Sequence, residues 1–383
     1  MTTTTSPARL HAPGGAAAAT RSNTRSHGYS SGMRLHRSNP EAPGIRRQRC
    51  GRGFRYFGSD GKPLTDEDTL RRVRDLVIPP AWQDVWICPY PSGHIQAIGS
   101  DDAGRRQYLY HEKWREKRET EKHQRVLELA RKLPRFRVAV RSDLATSGTG
   151  RDRMLAAALR MLDIGIFRTG SEEYAEENGT YGVATLLRGH VTVRGEDELL
   201  VSYVAKGGLE RSVRIHDPDL VRVVKTVRRA RPPTDRLLAY KEHGNWHEVH
   251  ADDVNNRFKE YVGDKFTGKD LRTWNATVLA ATAFAETDRP RSQRGMQRAK
   301  AAVMREVAEE LGNTPAVTRR SYVDPRVVRA FEKGATVGKA VERARRKYTT
   351  DAAENGADTA ESMRTTIERA VVRMLSEMDA EPP

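Results

Sequence analysis

The residues best suited to chemistry in this sequence are one tyrosine and four polar side chains. Tyr322 follows Asn313 by nine residues in LGNTPAVTRRSYV, behind a run of basic residues. Upstream lie Arg168 in IFRTGSEEY, Lys206 in YVAKGG and Arg272 in GKDLRTWNATVLAA. A tyrosine, two arginines, a lysine and one neutral hydrogen-bond donor can together cleave a phosphodiester without a metal. No other combination of residues in the sequence makes a complete active site.

The chemistry explains why these residue types are needed. A tyrosine hydroxyl has an ordinary pKa of about 10, so it becomes a useful nucleophile only where nearby cations stabilise the phenolate. Negative charge then develops on the non-bridging oxygens of the phosphate, and arginine forks match that geometry without losing their proton. The departing sugar oxygen needs a proton, which a lysine can supply when neighbouring arginines lower its pKa.

Each of these residues also has a simpler interpretation. The chain holds 67 lysines and arginines, and any one of them is more often a solvated surface charge than a catalyst. Tyr322 by itself is typical of a half-buried aromatic on a helix. Asn313 by itself reads as a helix N-cap, because Thr314 and Pro315 follow it in the order expected at a helix start. The joint order of the five residues favours the catalytic interpretation.

Five segments in this order resemble the type IB DNA topoisomerases of the short, poxvirus-like kind, which also occur in bacteria. They are GSDDAGRRQYLYHEKW (99–114), IFRTGSEEYAEENGTYGVATL (166–186), YVAKGG (203–208), KDLRTW (269–274) and GNTPAVTRRSY (312–322). The resemblance runs in register from about Ile45 to about Phe331. One position departs from it, since the poxvirus-like enzymes have histidine where this chain has Asn313. An amide can donate to a phosphate oxygen but carries no charge.

The resemblance implies an activity and roles for individual residues. Tyr322 attacks the DNA backbone, forms a 3′-phosphotyrosyl bond, lets supercoils relax about the intact strand and is then displaced as the nick is resealed. It implies that Arg168, Lys206, Arg272 and Tyr322 carry catalysis and that Lys269 assists proton delivery. Asn313 stands at the position of the histidine. The bond energy stays in the covalent link, so neither ATP nor a metal or other cofactor is expected, and the resemblance implies a monomer.

A second set of residues is expected to contact DNA. Alternation along the stretch that begins at Arg105 and Arg106 places Gln107 on one face and Tyr108 and Tyr110 on the other. Glutamine can pair bidentately with adenine, and tyrosines can touch bases or phosphates. The resemblance favours all three as DNA contacts, while aromatic packing within a small sheet is the alternative for the tyrosines. It also implies that two residues of the IFRTGSEEY segment lie near DNA, Tyr174 and Asn178.

Composition agrees with duplex DNA as the partner. The formal net charge is +16 and the pI is about 10.0, as expected for a protein that binds a polyanion. Residues 1–53 hold nine arginines, one glutamate and no lysine, which gives +8. Cys50 and Cys88 are too few for a disulfide framework or a cysteine zinc site. No apolar run approaches the ~18 residues of a membrane span, so we expect a cytoplasmic, nucleoid-associated protein with no membrane partner.

The predicted fold class is α+β. We expect a disordered basic tail over 1–44, a small, mainly antiparallel β domain that binds DNA over 45–115, and a larger, mainly helical catalytic domain over 116–334 that begins with a linker helix. Residues 335–383 are expected to form a C-terminal helical segment. Within the catalytic domain, residues 190–215 alternate like three strands, with Lys206, Gly207 and Gly208 in the last turn.

Further helices are predicted over Arg151–Leu162, Asp252–Tyr261, Asp270–Glu286, Gln293–Leu311 and Pro325–Lys333. In the N-terminal domain one helix is predicted after TDED, with Thr65 as its cap. GDKFTGKD (263–270) resembles a phosphate-binding loop but has Asp270 where the serine or threonine belongs. HEVH (247–250) has no third metal ligand and is typical of a strand or loop.

The sequence by itself also allows two other functions. A tyrosine recombinase uses nearly the same catalytic set on a related fold, although no second-site or multimer module is evident here. A non-catalytic basic DNA-binding protein would explain the charge but not the ordered arginine, lysine, arginine, asparagine and tyrosine.

Overall fold

The computed structural model describes residues 34–164, 167–170, 172–205, 208–351 and 356–380. The chain divides into two compact units, Met1–Glu116 and Lys117–Pro383. We call them the N-terminal unit and the catalytic unit. Both combine helices with antiparallel sheets, which confirms the predicted α+β class. Among the described helices, none is both long and apolar enough to cross a bilayer.

The N-terminal unit is built on an antiparallel sheet with strand order β2-β1-β3-β4-β5. Its elements are β1 (Ile45–Cys50), β2 (Gly53–Phe57), α1 (Glu67–Asp75), β3 (Gln83–Ile87), β4 (Ile95–Ser100) and β5 (Arg106–Tyr110). Helix α1 contributes Val73 to the small core of this sheet, which includes Ile45, Val85 and Ile87. The predicted cap of α1 is off by one residue, because the Asp66 carboxylate, rather than Thr65, accepts from Thr69 N at 2.8 Å.

Strand β1 was not predicted, because IRRQRC shows no alternation of apolar and polar residues. Arg47 takes the place of an apolar residue there. Its guanidinium lies 4.2 Å from the Phe54 ring centroid and donates to the backbone carbonyls of Ile78, Pro79 and Trp82 at 2.7–3.0 Å. The charge is therefore satisfied by the loop that follows α1, and the long side chain covers the sheet.

Residues 34–44 fall within the predicted disordered tail, yet they are held against the sheet. Ser38 Oγ donates to Ile95 O at 2.9 Å, and Trp86 Nε1 donates to Ala42 O at 3.0 Å. His36 forms a bridge with Gly93. These hydrogen bonds order the polar stretch without apolar residues. The rest of the predicted tail lies outside the described residues.

The catalytic unit consists mainly of helices, with a three-stranded antiparallel sheet (order β6-β7-β8) and a two-stranded hairpin. In chain order its elements are α2 (Glu112–Leu144, whose first residues belong to the N-terminal unit), α3 (Arg151–Ile164), α4 (Glu172–Asn178), β6 (Val191–Arg194), β7 (Glu198–Ala205), β8 (Leu209–His216), α5 (Pro218–Ala230), β9 (Ala239–Glu242), β10 (Asn245–Glu248), α6 (Ala251–Val262), α7 (Gly268–Ala285), α8 (Gln293–Leu311), α9 (Pro315–Ser321), α10 (Pro325–Lys333), α11 (Gly338–Asp351) and α12 (Gly356–Ala380).

Most of the predicted elements of this unit are confirmed. Helices α8 and α10 have the predicted bounds, and α3, α6 and α7 differ by one or two residues at an end. The three predicted strands are present, and residues 206–208 separate β7 from β8. The predicted linker helix is α2, which continues through Pro134 to Leu144 because Phe136, Val140 and Leu144 extend its buried face.

A buried cluster of charges joins α2, α3 and the C-terminal helix α12. Arg137 on α2 donates to Asp163 on α3 at 2.8 Å and to Glu368 on α12 at 2.7 Å, and all three residues are at least 95% buried. Arg364, also on α12, donates to Asp163 at 2.7 Å and to Asn275 on α7 at 2.9 Å. Burial by itself raises the pKa of Asp163, but Arg137 and Arg364 lower it well below its usual range. The cluster thus attaches α12 to the helix that carries Arg272.

We predict that Glu368→Ala lowers the free energy of unfolding by about 3–5 kcal/mol, because it removes one of the carboxylates that neutralise the buried Arg137. Denaturant titration measures the loss. The matched control is Glu377→Ala on the exposed side of the same helix, which should change the value by less than about 0.5 kcal/mol. Equal losses for the two variants would contradict the role of the buried cluster.

Candidate active site

Arg168 lies on the loop after α3, and backbone contacts hold that loop in place. Val183 N donates to Arg168 O at 2.9 Å, and Ala184 N donates to Thr169 O at 2.8 Å. Gly170 has a positive φ of 97° and packs directly against Gly182. A Cβ on Gly182 would lie 2.5 Å from Gly170 Cα and 2.7 Å from Arg168 O. The position of Arg168 therefore depends on two glycines that allow the two backbones to touch.

Arg272 is placed by the second turn of α7, and its side chain is 96% buried. Its Nη2 donates to the carbonyl of Leu311, at the end of α8. The guanidinium carbon lies 5.4 Å from the centroid of the Tyr322 ring. Neighbouring residues Leu271 and Trp274 are buried in the main core, which fixes the helix and thereby the arginine.

Asn313 lies between α8 and α9. Gly312 ends α8 in the left-handed conformation (φ 59°), and Asn313 N then donates to Ala308 O at 2.9 Å, a common helix ending. The cap of α9 is Thr314, whose hydroxyl accepts from Val317 N at 3.3 Å. The simpler interpretation of Asn313 as a helix cap is therefore wrong, because the adjacent Thr314 caps α9. The Asn313 side chain does not cap this helix.

The Asn313 amide faces Arg168. Arg168 Nη2 donates to Asn313 Oδ1 at 2.5 Å. A guanidinium only donates, so the oxygen of the amide must be the atom that faces it. The amide nitrogen Nδ2 then points away from the arginine; it is buried and has no hydrogen-bond partner among the described residues. Arg168 thus orients Nδ2 as a neutral donor. This nitrogen can donate a hydrogen bond to an acceptor that binds at the site.

Tyr322 follows the last residue of α9 and is half-buried beside Arg272. Burial, followed by the nearby charge of Arg168, lowers the pKa of Arg272 to about 10, and Tyr322 partly opposes this shift. Arg272 thus keeps its proton at neutral pH, although two like charges share the site. Such convergence of cations favours binding of an anion. The structure brings together Arg168, Arg272, Asn313 and Tyr322.

The two predicted lysines are placed differently. Lys206 lies outside the described residues, but its neighbours are defined: Ala205 pairs with Leu209 across the hairpin, and Gly208 N donates to Ala205 O at 3.1 Å. Lys269 is exposed in the first turn of α7. The next residue, Asp270, is bound by Arg125 of α2 at 2.8 Å.

Comparison with known proteins decides the family. Residues 111–349 match the family described as "Eukaryotic DNA topoisomerase I, catalytic core", and residues 53–101 match "Bacterial DNA topoisomerase IB, N-terminal domain". The chain is 30% identical over 288 residues to DNA topoisomerase 1B of Acanthamoeba polyphaga mimivirus, covering 73% of this chain and 85% of the viral protein. It is 25% identical over 287 residues to DNA topoisomerase 1B of vaccinia virus (strain Copenhagen), covering 70% and 86%.

The chain belongs to the type IB DNA topoisomerases. It is accordingly an isomerase that cleaves and rejoins DNA. The match of its N-terminal unit to a bacterial topoisomerase domain decides against the tyrosine recombinase, and the match of its catalytic unit decides against a non-catalytic DNA-binding protein.

In the N-terminal unit of the enzyme, strand β5 separates the predicted DNA contacts into two faces. Tyr108 and Tyr110 are exposed, with ring centroids 6.0 Å apart, and the Arg106 guanidinium lies 5.8 Å from the Tyr108 ring. The two rings stack on each other at the surface of the sheet and are not buried in its core. On the other face, Gln107 Nε2 donates to Asp101 at 2.9 Å, and Arg105 pairs with the same carboxylate at 2.9 Å.

Two further predicted contacts, Tyr174 and Asn178, lie on α4, and their side chains are outside the described residues. Within the described parts of the chain, no group of three or more histidine, cysteine, aspartate and glutamate side chains is arranged to hold a metal ion.

Sequence reasoning missed three residues next to this site. Arg211 on β8 donates to Tyr203 Oη at 3.2 Å and to Glu310 O at 2.7 Å, and its charge contributes to the lowered pKa of Arg272. Thr277 on α7 and His123 on α2 contact the backbone or side chains around Tyr322. Arg211 and Thr277 each lie three residues beyond a quoted motif, YVAKGG and KDLRTW, and His123 lies in none. Only the folded structure shows that they reach the site.

We predict that Gly182→Ala slows DNA cleavage by about 10²-fold, because the added Cβ displaces the loop that positions Arg168, and a shift of about 1 Å has that cost. Single-turnover cleavage of a duplex measures the rate. Gly189→Ala is the matched control, since a Cβ there meets nothing within 4 Å. An unimpaired Gly182→Ala enzyme would show that the glycine contact does not position the arginine.

Proposed function

We propose that the enzyme relaxes supercoiled duplex DNA through a transient nick, with Tyr322 as the nucleophile and without ATP or a metal ion. The observation that supports this most strongly is the convergence of Arg168, Arg272 and Asn313 around one tyrosine at the junction of α7, α8 and α9. Cationic and neutral donors surround the position that a phosphate would take, and the nucleophile lies beside them.

The proposed reaction consists of two transesterifications. The Tyr322 oxygen forms a bond to phosphorus as the bond from phosphorus to the 5′ oxygen breaks, which leaves a 3′-phosphotyrosyl link. The departing 5′ oxygen takes a proton, which we assign to Lys206 with help from Lys269. The strand then rotates about its intact partner, and the 5′ hydroxyl attacks the link and restores the backbone. Since the number of phosphodiester bonds is conserved, no external energy is consumed.

Charge stabilisation in this reaction falls to Arg168 and Arg272. Each donates to a neutral oxygen, which does not offset the positive charge that would attract a phosphate. Guanidinium forks can neutralise the developing charge on two non-bridging oxygens, as metal ions do in other phosphoryl-transfer sites. The Asn313 Nδ2 group supplies a further donor from a position fixed by Arg168.

Binding to duplex DNA is proposed to rest on both units. The exposed face of β5, with Arg106, Tyr108 and Tyr110, offers one cation and two aromatic rings. Gln107 and Arg105 share Asp101, so they would have to exchange that partner for DNA. Tyr174 and Asn178 are proposed to approach DNA from the catalytic unit. We propose that the enzyme acts as a monomer.

We predict that the wild-type enzyme relaxes positive and negative supercoils in EDTA without ATP, and that Tyr322→Phe abolishes relaxation while duplex affinity is retained. The physical reason is that phenylalanine has no oxygen with which to attack phosphorus. Agarose electrophoresis of plasmid topoisomers gives the relaxation rate, and fluorescence anisotropy gives the affinity.

The control is Tyr90→Phe, which removes an exposed hydroxyl in the N-terminal unit and should relax DNA at the wild-type rate. Relaxation by Tyr322→Phe would overturn the assignment of the nucleophile. Loss of wild-type relaxation in EDTA would overturn metal independence.

We predict that Asn313→Ala slows cleavage by about 10²–10³-fold, the usual cost of removing a donor to a charged transition state. Asn313→His should stay active and should acquire a rate change near pH ~6.5, where histidine changes charge. Both effects are measured as single-turnover cleavage rates over a range of pH. Asn245→Ala on the exposed hairpin is the control. A wild-type rate for Asn313→Ala would exclude Nδ2 as a phosphate donor.

A further inference from the structure

The four residues Ser321–Asp324, which we call the nucleophile turn, are held by side chains from two helices. From α7, Thr277 Oγ1 donates to Tyr322 O at 3.3 Å, with Thr273 O as a second acceptor at 2.8 Å. The same Thr277 oxygen accepts from Asp324 N at 3.2 Å. Thr277 is 99% buried, so water does not compete for these hydrogen bonds. One hydroxyl thus contacts the backbone at two points immediately after the Tyr322 side chain.

Helix α2 holds the same turn from another direction. Lys122 Nζ donates to Ser321 O at 3.4 Å. His123, the next residue, is buried, and its Nδ1 lies 3.6 Å from Asp324 Oδ2. Asp324 itself is 97% buried, caps α10, and accepts from the Arg326 side chain at 2.6–3.1 Å. The imidazole is therefore placed against the carboxylate that anchors the end of the nucleophile turn.

The contacts of His123 are incompletely formed. Its Nδ1 is buried and has no hydrogen-bond partner in the part of the chain that the structure describes, since the gap to Asp324 is slightly too long. Its Nε2 lies 3.5 Å from Glu119 Oε2. The charged groups that face the ring are Asp324, Glu119, Lys122 and Arg326. A buried donor at this distance needs only a small movement to bond the carboxylate.

We propose that His123 is a positioning residue for the nucleophile, and that it acts by holding Asp324 and thereby the turn that carries Tyr322. This inference rests on the proposed function of Tyr322. The tyrosine hydroxyl must approach phosphorus in line with the departing oxygen, and its ring is carried by a backbone that only a few hydrogen bonds fix. When Nδ1 donates to Asp324, α2 adds a contact to the turn that Thr277 of α7 already holds. A shift of about 1 Å in the nucleophile costs about 10²-fold in rate.

Two substitutions at His123 distinguish its nitrogens. In asparagine the amide nitrogen takes the place of Nδ1, which faces Asp324, whereas in glutamine it takes the place of Nε2, which faces Glu119. We expect His123→Ala to lower the single-turnover cleavage rate at saturating duplex by about 10–10²-fold, with an unchanged Kd. His123→Asn should recover most of the rate, and His123→Gln should not. Lys132→Met is the control on the same helix, since Lys132 binds Val262 O at 2.8 Å, away from the nucleophile turn.

A pH profile provides a second readout. Burial lowers the pKa of His123, and the nearby Asp324 opposes that shift, so the ring gains its proton below about pH 6.5. The wild-type cleavage rate should change over that acid range, and the change should be absent from His123→Asn. If His123 served only in folding, His123→Asn would have a lower melting temperature but would keep the change in cleavage rate over the acid range.

The outcomes separate this inference from the function on which it rests. If the wild type cleaves DNA and Tyr322→Phe does not, the assignment of Tyr322 as the nucleophile is supported. A wild-type rate for His123→Ala, or rescue by glutamine and not by asparagine, then overturns the role of His123 alone. If Tyr322→Phe cleaves DNA, the proposed function fails together with the inference. Should His123→Ala fail to fold, the rates of His123→Asn and His123→Gln still decide whether Nδ1 positions the nucleophile.

Discussion

The repulsion between two arginines at one site is the constraint on which the catalytic unit depends. Arg168 and Arg272 share a site in which burial strengthens their mutual repulsion, and the pKa of Arg272 falls to about 10. Both donate to neutral oxygens, the Asn313 amide and the Leu311 carbonyl. This arrangement leaves the positive charge available to a phosphate. The surrounding fold, from the contact of Gly182 with the Arg168 loop to the buried face of α7, holds the charges together.

Asparagine at position 313 suits this constraint. Its amide accepts from Arg168 with one atom and presents a donor with the other, so a single side chain both orients the arginine and faces the site. A protonated histidine, which donates from both nitrogens, could not accept from the arginine and would add a third positive charge. The departure from the poxvirus-like pattern therefore adds no further positive charge beside the two arginines. It also links the Arg168 guanidinium to the Asn313 amide through a direct hydrogen bond.

Much of the fold is readable from the sequence because it depends on local signals. The bounds of α8 and α10 follow from apolar periodicity, from a serine cap before α8 and a proline at the start of α10, and from a glycine after each helix. Local sequence signals do not predict the structure where tertiary contacts determine it. Arg47 takes the place of an apolar residue in β1, and Thr314 rather than Asn313 caps α9. Lys122 meets Ser321 across 199 residues of sequence, a contact that no motif indicates.

The buried Arg137 has a consequence for the order in which the protein acquires its structure. One of its two carboxylate partners, Glu368, is 231 residues further along the chain. During synthesis the arginine is therefore incompletely neutralised until α12 has been made, although Arg168, Arg272 and Tyr322 are already present. Helices α2 and α3 can pack together earlier, but the charge buried between them is fully balanced only after α12 has joined them.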